Sequence, residues 1–349
     1  MFVPPRCPNP DCRHHLDPQG RFFVCRGQYV AACRPEPQLR FFCKGCRKGF
    51  SRQTFRHDYR DRKPNPNELV FMLLCSGVGL RQIARVTELD IHTVQDKKRK
   101  LARTLHKLHH NLCWQLPAGR TYVLDEEETY EGASIRPLTM PVLVDAEHWF
   151  ILATGVGPIR RLARVGSARR RAQEEDERKR GRRPDESKVV TEAVLRTLAA
   201  LTPTGELTLR SDRKTTYAAL TKKVFGARCR HETTSSRQRR DPYNPLFVVN
   251  TTIAMTRDNC GRLRRKSWLV TKKAAKLVEH LAVFQVYRNF VRRRFNYDEE
   301  DGTPAKHLGL LPRNLRVGEA LAWRQDWESR SIHPMSSCGS RTVREPMSA

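Results

Sequence analysis

No stretch of this 349-residue chain approaches the roughly 18 consecutive apolar residues that a membrane-spanning helix requires, so no membrane partner is expected. Its first residues, MFVPPRCPNP, lack the basic-then-apolar pattern of a secretory signal, and a cytoplasmic location is the expectation. No internal repeat recurs along the sequence. Acidic residues are scarce beside basic ones: 37 Asp and Glu face 66 Lys and Arg, a formal charge of +29. Solubility alone asks for a net charge of only about 2–8 on a small domain. The excess is spread along the chain, and such a field attracts polyanions, because each phosphate neutralised by Lys or Arg releases condensed counterions. Nucleic acid is therefore the expected partner. The eleven cysteines are an odd set in a chain neither short nor exported. That argues against a disulfide scaffold and for metal ligation wherever two are closely spaced.

The length accommodates two or three domains. Residues 1–60 are cysteine-rich and hold two strand candidates, Phe22–Val24 and Leu39–Phe42. The Pro-rich DRKPNP at 61–66 stops any preceding strand and lets a helix begin near Asn67. Residues 61–115 then read as three helices. Leu69, Val70, Met72 and Leu73 line the first, Ile83, Ala84 and Val86 the second, and Ile91, Val94, Leu101 and Leu105 the third. From 116 to 295 strands appear in TYVLDEEETYEG, PLTMPVLVDA and HWFILATGVG, followed by a basic insert at 158–188, expected as a solvated helix or flexible segment. An amphipathic helix at 189–201, a strand at 205–211, a helix carrying Tyr217, Leu220 and Val224, and a strand at Leu246–Val249 come next. Helices at 251–266 and 271–294 complete the series. This order is that of an α/β, RNase H-like core, a mixed sheet with helices on both faces. Residues 296–349 are expected as a partly disordered tail.

Cys7-x4-Cys12 and Cys43-x2-Cys46 offer four thiolates on two knuckles, the donor set of a tetrahedral structural Zn²⁺. Cys25, Cys33, His14 and His15 are near enough in sequence to substitute. The alternative is a group of reduced, buried cysteines without metal. A ribbon this small has too little core to fold alone, so zinc would supply its stability. The following LRQIARVTELDIHTVQ resembles a helix-turn-helix, with Ile83 and Val94 in the shared core, Ala84 at the close contact and Asp90 capping the second helix. His92, Thr93 and Gln95 would then face the major groove, with Lys97, Lys98, Arg99 and Lys100 near phosphates. Otherwise the segment is a helical hairpin with a basic surface; a zinc ribbon alongside favours DNA.

Two aspartates, Asp125 and Asp212, each end a short strand-like run, Thr121–Leu124 and Leu207–Ser211. Carboxylates brought together from distant strand ends suit a two-metal site, whose ions lie about 3.5–4 Å apart and serve nucleophile and leaving oxygen. Glu126, Glu127 and Glu128 crowd Asp125; four adjacent acids repel unless cations are near, which suits metal binding and equally a solvated turn. Either aspartate alone reads as structural. Jointly, on this basic background, they point to phosphodiester chemistry.

CKGCRKGFS, the helix-turn-helix, VLDEE and RSD with a Tyr five residues on are followed by Arg257, RLRRKS and a helix ending in Tyr287-Arg288-Asn289. Together these resemble the DDE transposases of bacterial insertion sequences, in the short-element type with an N-terminal zinc ribbon and helix-turn-helix. The resemblance covers about residues 7–294. It implies Mg²⁺ at Asp125 and Asp212, strand cleavage at element ends, and attack of the freed 3′-hydroxyl on target DNA. It further implies double-stranded DNA as partner, a homodimer on that DNA, and a place in the bacterial cytoplasm with the nucleoid. Arg257 and Arg262 would contact phosphate or order the acids. The family's third ligand is a Glu, and matching RLRRKS without gaps brings its position onto Asn250, with Asp258 two turns further as the alternative. An Asn carbonyl still ligates a hard cation, with one negative charge fewer. Two other readings share these residues: a DNA-binding protein derived from a transposase that has lost catalysis, and an RNase H-like nuclease without strand transfer.

Overall fold

Five phenylalanines bring the N-terminal segment together: Phe22, Phe23, Phe41, Phe50 and Phe55 pack around Cys7, Cys12 and Cys43. The computed structural model describes residues 2–113, 116–117, 119–239, 241–264, 268–297 and 302–323. The segment from 324 onward lies outside the described residues, as do Arg265, Lys266 and Ser267 of the expected basic stripe. A single turn α1 (Arg13–Leu16) precedes a three-stranded antiparallel sheet of β1 (Phe23–Ala31), β2 (Arg34–Cys43) and β3 (Gly49–Ser51), in that order. The candidate Leu39–Phe42 falls within β2, and Phe22–Val24 straddles the start of β1.

Three helices follow: α2 (Asn67–Leu74), α3 (Leu80–Val86) and α4 (Ile91–Cys113). Asp90 caps α4, its Oδ1 accepting the His92 N–H at 2.7 Å, which satisfies one of the donors a helix start leaves open. Val94, Leu101, Leu105, Leu108 and Leu112 form the buried side of α4, as the three-and-four spacing of an amphipathic helix requires.

The larger part is a mixed α/β layer. Its elements are β4 (Thr121–Tyr130), β5 (Pro137–Asp145), β6 (Ile151–Thr154), β7 (Gly157–Pro158), α5 (Ala168–Arg180) and α6 (Ser187–Leu201). After them come β8 (Leu207–Asp212), α7 (Thr215–Phe225), β9 (Cys229–Thr234), α8 (Phe247–Asn259) and α9 (Ala274–Val286). The sheet order is β6-β5-β4-β8-β9, with β7 beside β5. Strands β4, β5 and β6 pair antiparallel, whereas β4, β8 and β9 pair parallel. Side chains alternate across a strand, and β4 shows it: Tyr122 and Leu124 join a core with α4, α6 and α7, while Val123 packs with Val249 and Ile253 of α8. Helices therefore cover both faces.

Two expectations are corrected. Leu246–Val249 is not a strand; Asn244 Oδ1 accepts the Leu246 N–H at 2.8 Å, and helix α8 starts at Phe247. The strand in that part of the order is β9, an edge strand that buries only Thr234 of its six residues, so its sequence shows no apolar run. Nor are residues 302–323 a tail. They form α10 (Pro304–His307) and α11 (Val317–Leu321), and Leu308, Leu310, Leu311, Leu315 and Trp323 enter the main core. The basic insert forms the largely solvated helix α5, which buries Gln173, accepting from the Ala163 N–H and donating to the Arg161 carbonyl. It is tied to the sheet by Arg161–Glu128, Arg136–Asp176 and Arg183 to the Pro137 carbonyl.

Candidate functional site

Parallel pairing of β4 with β8 matches Leu124 to Ser211 as its last rung. The next residue on each strand is an aspartate, so Asp125 and Asp212 stand side by side on one face, both half-buried. Their carboxylates are oriented by backbone donors. The Glu126 N–H reaches Asp125 Oδ1 at 2.7 Å and the Lys214 N–H reaches Asp212 Oδ1 at 3.0 Å. Tyr217 of α7 is buried in the main core on the opposite face of the sheet; burial raises its phenol well above its usual value, and Glu126, Asp125 and Asp212 raise it further.

The run of four acids is sorted by strand alternation. Asp125 and Glu127 face α8, where Arg257 Nε lies 3.9 Å from Glu127 Oε1. Glu126 and Glu128 face the other way. Both Glu126 oxygens accept from Lys214 Nζ, at 2.8 and 2.9 Å, and Thr139 and Thr191 donate to the same carboxylate. Although burial alone would raise the Glu126 carboxyl, these donors hold it below its usual value. Glu128 pairs with Arg161. The segment is thus a strand, not a solvated turn.

Helix α8 packs on β4 and β5. Asn250 sits half-buried on it two turns before Arg257, a spacing that returns to the same helix face. Asp258 is exposed, and its backbone carbonyl lies against Gly77, between α2 and α3. Arg262 is not on this helix at all. Helix α8 ends at Asn259, and Arg262 falls in a single 3-10 turn, half-buried toward Glu279, with burial lowering its guanidinium.

At the start of α4, His92 is exposed while Thr93 and Gln95 are half-buried. Lys97 and Lys98 are buried, contrary to expectation. Lys97 Nζ bonds Asp61 Oδ2 at 2.6 Å and Asn67 Oδ1 at 2.7 Å. Lys98 Nζ pairs with Glu279 of α9 at 2.8 Å and donates to the Lys276 carbonyl. Neither faces solvent, so neither is available to a phosphate. The reason is phase: they lie three and four residues after Val94 and before Leu101, on the buried stripe. Lys100 reaches the Tyr59 carbonyl. The exposed cations here are Arg81 and Arg85 of α3 and Arg99 and Arg103 of α4; of these, only Arg99 stood out in the sequence.

The four cysteines converge. Cys7, Cys12, Cys43 and Cys46 place their sulfurs within 4.8 Å of one another, with Cys7–Cys46 at 3.6 Å and Cys12–Cys43 at 3.7 Å. A tetrahedron with Zn–S bonds of about 2.3 Å has edges near 3.8 Å, so the donor set fits zinc. Burial raises the Cys46 thiol, but the Lys48 backbone N–H and the other three cysteines outweigh it and bring it down to about 7. The possible substitutes are engaged elsewhere: His14 stacks on Phe22, His15 bonds the Cys7 carbonyl, Cys33 bonds the Asp61 carbonyl and Cys25 is exposed. Among the described residues no acidic group of three converges in this way. An ion at the aspartate pair would need further oxygen, from Asn250, water or phosphate.

No protein-family model matches the chain, and no curated protein matches it. Among solved structures it is similar to the cryo-EM structure of the simian T-cell lymphotropic virus intasome in complex with PP2A regulatory subunit B56 gamma. Identity is 13% and the TM-score 0.29, over 72% of this chain and 78% of that one. At that score the likeness does not extend to a shared fold.

Proposed function

We propose that this protein is a DNA transposase with an RNase H-like catalytic layer, cutting and joining DNA at the Asp125–Asp212 pair. The observation that carries the reading is the β4–β8 register, which sets two carboxylates from residues far apart in sequence next to each other. The mixed sheet order β6-β5-β4-β8-β9, with helices on both faces, supports the RNase H-like reading. Asp125, Asp212 and the Asn250 carbonyl would hold Mg²⁺, whose chemistry is to activate the attacking oxygen and stabilise the leaving one. Arg257 neutralises Glu127 beside that position. DNA is bound through His92 at the start of α4 and through the exposed Arg81, Arg85, Arg99 and Arg103, with the zinc ribbon extending the contact.

The test is nicking and joining of a supercoiled plasmid carrying the DNA that flanks this gene, with Mg²⁺ or Mn²⁺. Asp125→Ala and Asp212→Ala should each abolish cleavage; activity surviving in either sinks the proposal. An Asn at 250 where an acid is expected favours a second reading, a sequence-specific DNA-binding protein without catalysis. That reading expects salt-sensitive binding, no cleavage with any divalent ion, and gain of cleavage in Asn250→Glu if the rest of the site is intact.

A further inference from the structure

The β4–β8 ladder ends at Leu124 and Ser211, one residue short of the two aspartates. Two like charges placed side by side beyond the last rung push the strand ends apart. Asp125 stays paired with Val142 of β5 and Asp212 with Thr234 of β9, but no rung joins the two ends to each other. Glu126 and Lys214 lie immediately beyond, and their side chains meet on the opposite face of the sheet, Nζ to Oε1 at 2.8 Å and to Oε2 at 2.9 Å. Each also supplies, through its own backbone N–H, the hydrogen bond that orients one aspartate.

We propose that the Glu126–Lys214 ion pair is a clasp that fixes the separation of Asp125 and Asp212, with both partners acting as positioning residues and neither as a metal ligand. The proposal rests on the metal-site reading above. Glu126 is excluded as a ligand by direction and by occupancy. It faces away from Asp125, its side chain is 10% exposed, and Thr139, Thr191 and Lys214 already donate to its two oxygens. The clasp is itself braced: the Tyr217 hydroxyl bonds Glu126, and Lys214 Nζ lies 5.3 Å over the Tyr217 ring. Three separate elements, β5, α6 and α7, therefore lock one carboxylate.

Charge and geometry predict opposite outcomes for Lys214→Met. On charge alone, removing a cation and baring an anion near the pair leaves Mn²⁺ binding unchanged or tighter. The clasp predicts weaker binding, by about tenfold, the scale on which groups that orient metal ligands act. Mn²⁺ titration of the full chain, followed by electron paramagnetic resonance, reads this directly. The metal concentration for half-maximal plasmid nicking should rise in parallel. Glu126→Gln should lose as much, and the double variant no more than either single one, because the two residues act as a unit. Glu126→Asp, which keeps the charge but shortens the reach by a methylene, is the milder variant and should weaken binding in the same direction. Unchanged or tighter Mn²⁺ binding in folded Lys214→Met, or additive losses in the double variant, overturns the clasp. Mn²⁺ binding by the unaltered chain that ignores Asp125→Asn overturns the metal-site reading instead. No Mn²⁺ binding at all removes both.

Discussion

Lys97→Met separates a structural lysine from a DNA-contacting one. Lys97 Nζ is held by Asp61 Oδ2 at 2.6 Å, by Asn67 Oδ1 at 2.7 Å and by the Lys63 carbonyl, and its side chain is 2% exposed. Breaking a buried ion pair from one side costs about 3–5 kcal/mol, because the remaining charge stays buried. Methionine preserves the stem, so the cavity contribution is small. Asp61 also keeps the Lys63 N–H at 3.0 Å and the Asn67 amide at 3.2 Å, which argues for the lower end. The expected loss is about 3 kcal/mol, or two decades in the folding equilibrium at 1.4 kcal/mol per tenfold. Urea unfolding measures it, alongside the salt dependence of binding to a generic duplex. The salt slope of folded Lys97→Met should equal that of the native chain. Arg99→Ala, at an exposed position, should do the reverse: stability within about 0.5 kcal/mol and a slope lower by about 1. A normal urea midpoint with a flattened salt slope in Lys97→Met would refute the assignment.

The same pair carries a pH signature. Burial by itself raises the Asp61 carboxyl, but the Lys97 ammonium, the Lys63 N–H and the Asn67 amide together hold it below its usual value. A depressed carboxylate stabilises the fold above its unfolded value near 3.9 and loses that contribution as the pH falls through the folded one. In Lys97→Met the burial effect prevails and the carboxyl moves up. The deficit of the variant should therefore be full at neutral pH and shrink as the pH falls toward about 4.

Other perturbations reach other joints of the molecule. Stripping zinc with a chelator, or Cys43→Ser, should unfold the ribbon, since the metal in such sites supplies about 10–16 kcal/mol; limited proteolysis within residues 1–60 is the readout. Gly261→Ala places a Cβ 2.6 Å from the Gly77 carbonyl oxygen, backbone against backbone, and should cost about 1–3 kcal/mol in urea unfolding as an overpacked contact. Ending the chain after residue 301 removes Leu308, Leu310, Leu311, Leu315, Leu321 and Trp323 from the main core, and soluble yield should collapse.

What could be read from the sequence follows from how local each signal is. Cysteine spacing reports on four side chains that need only a shared ion, and the tetrad forms as spaced. Asp90 caps its own helix, so a neighbouring residue settles it. Asp125 and Asp212 were visible because the apolar runs before them were, yet their adjacency depends on a β4–β8 register that no local pattern encodes. Lys97 and Lys98 were misread by residue type, although the phase set by Val94 and Leu101 already turned them inward. Strand β9 was invisible because an edge strand buries little, and the run Leu246–Val249 took its place because four apolar residues suit a strand or a buried helix turn equally. The last element hidden from the sequence is the joint between the two halves. The Gly77 N–H bonds the Asn259 carbonyl at 2.8 Å with Gly77 at φ +72°, and Lys98 bridges to Glu279. Asn250 and Arg257 therefore share α8 with Asn259, whose carbonyl ties the Gly77 turn between α2 and α3 to that helix, while α4 is tied to α9 through the Lys98 side chain.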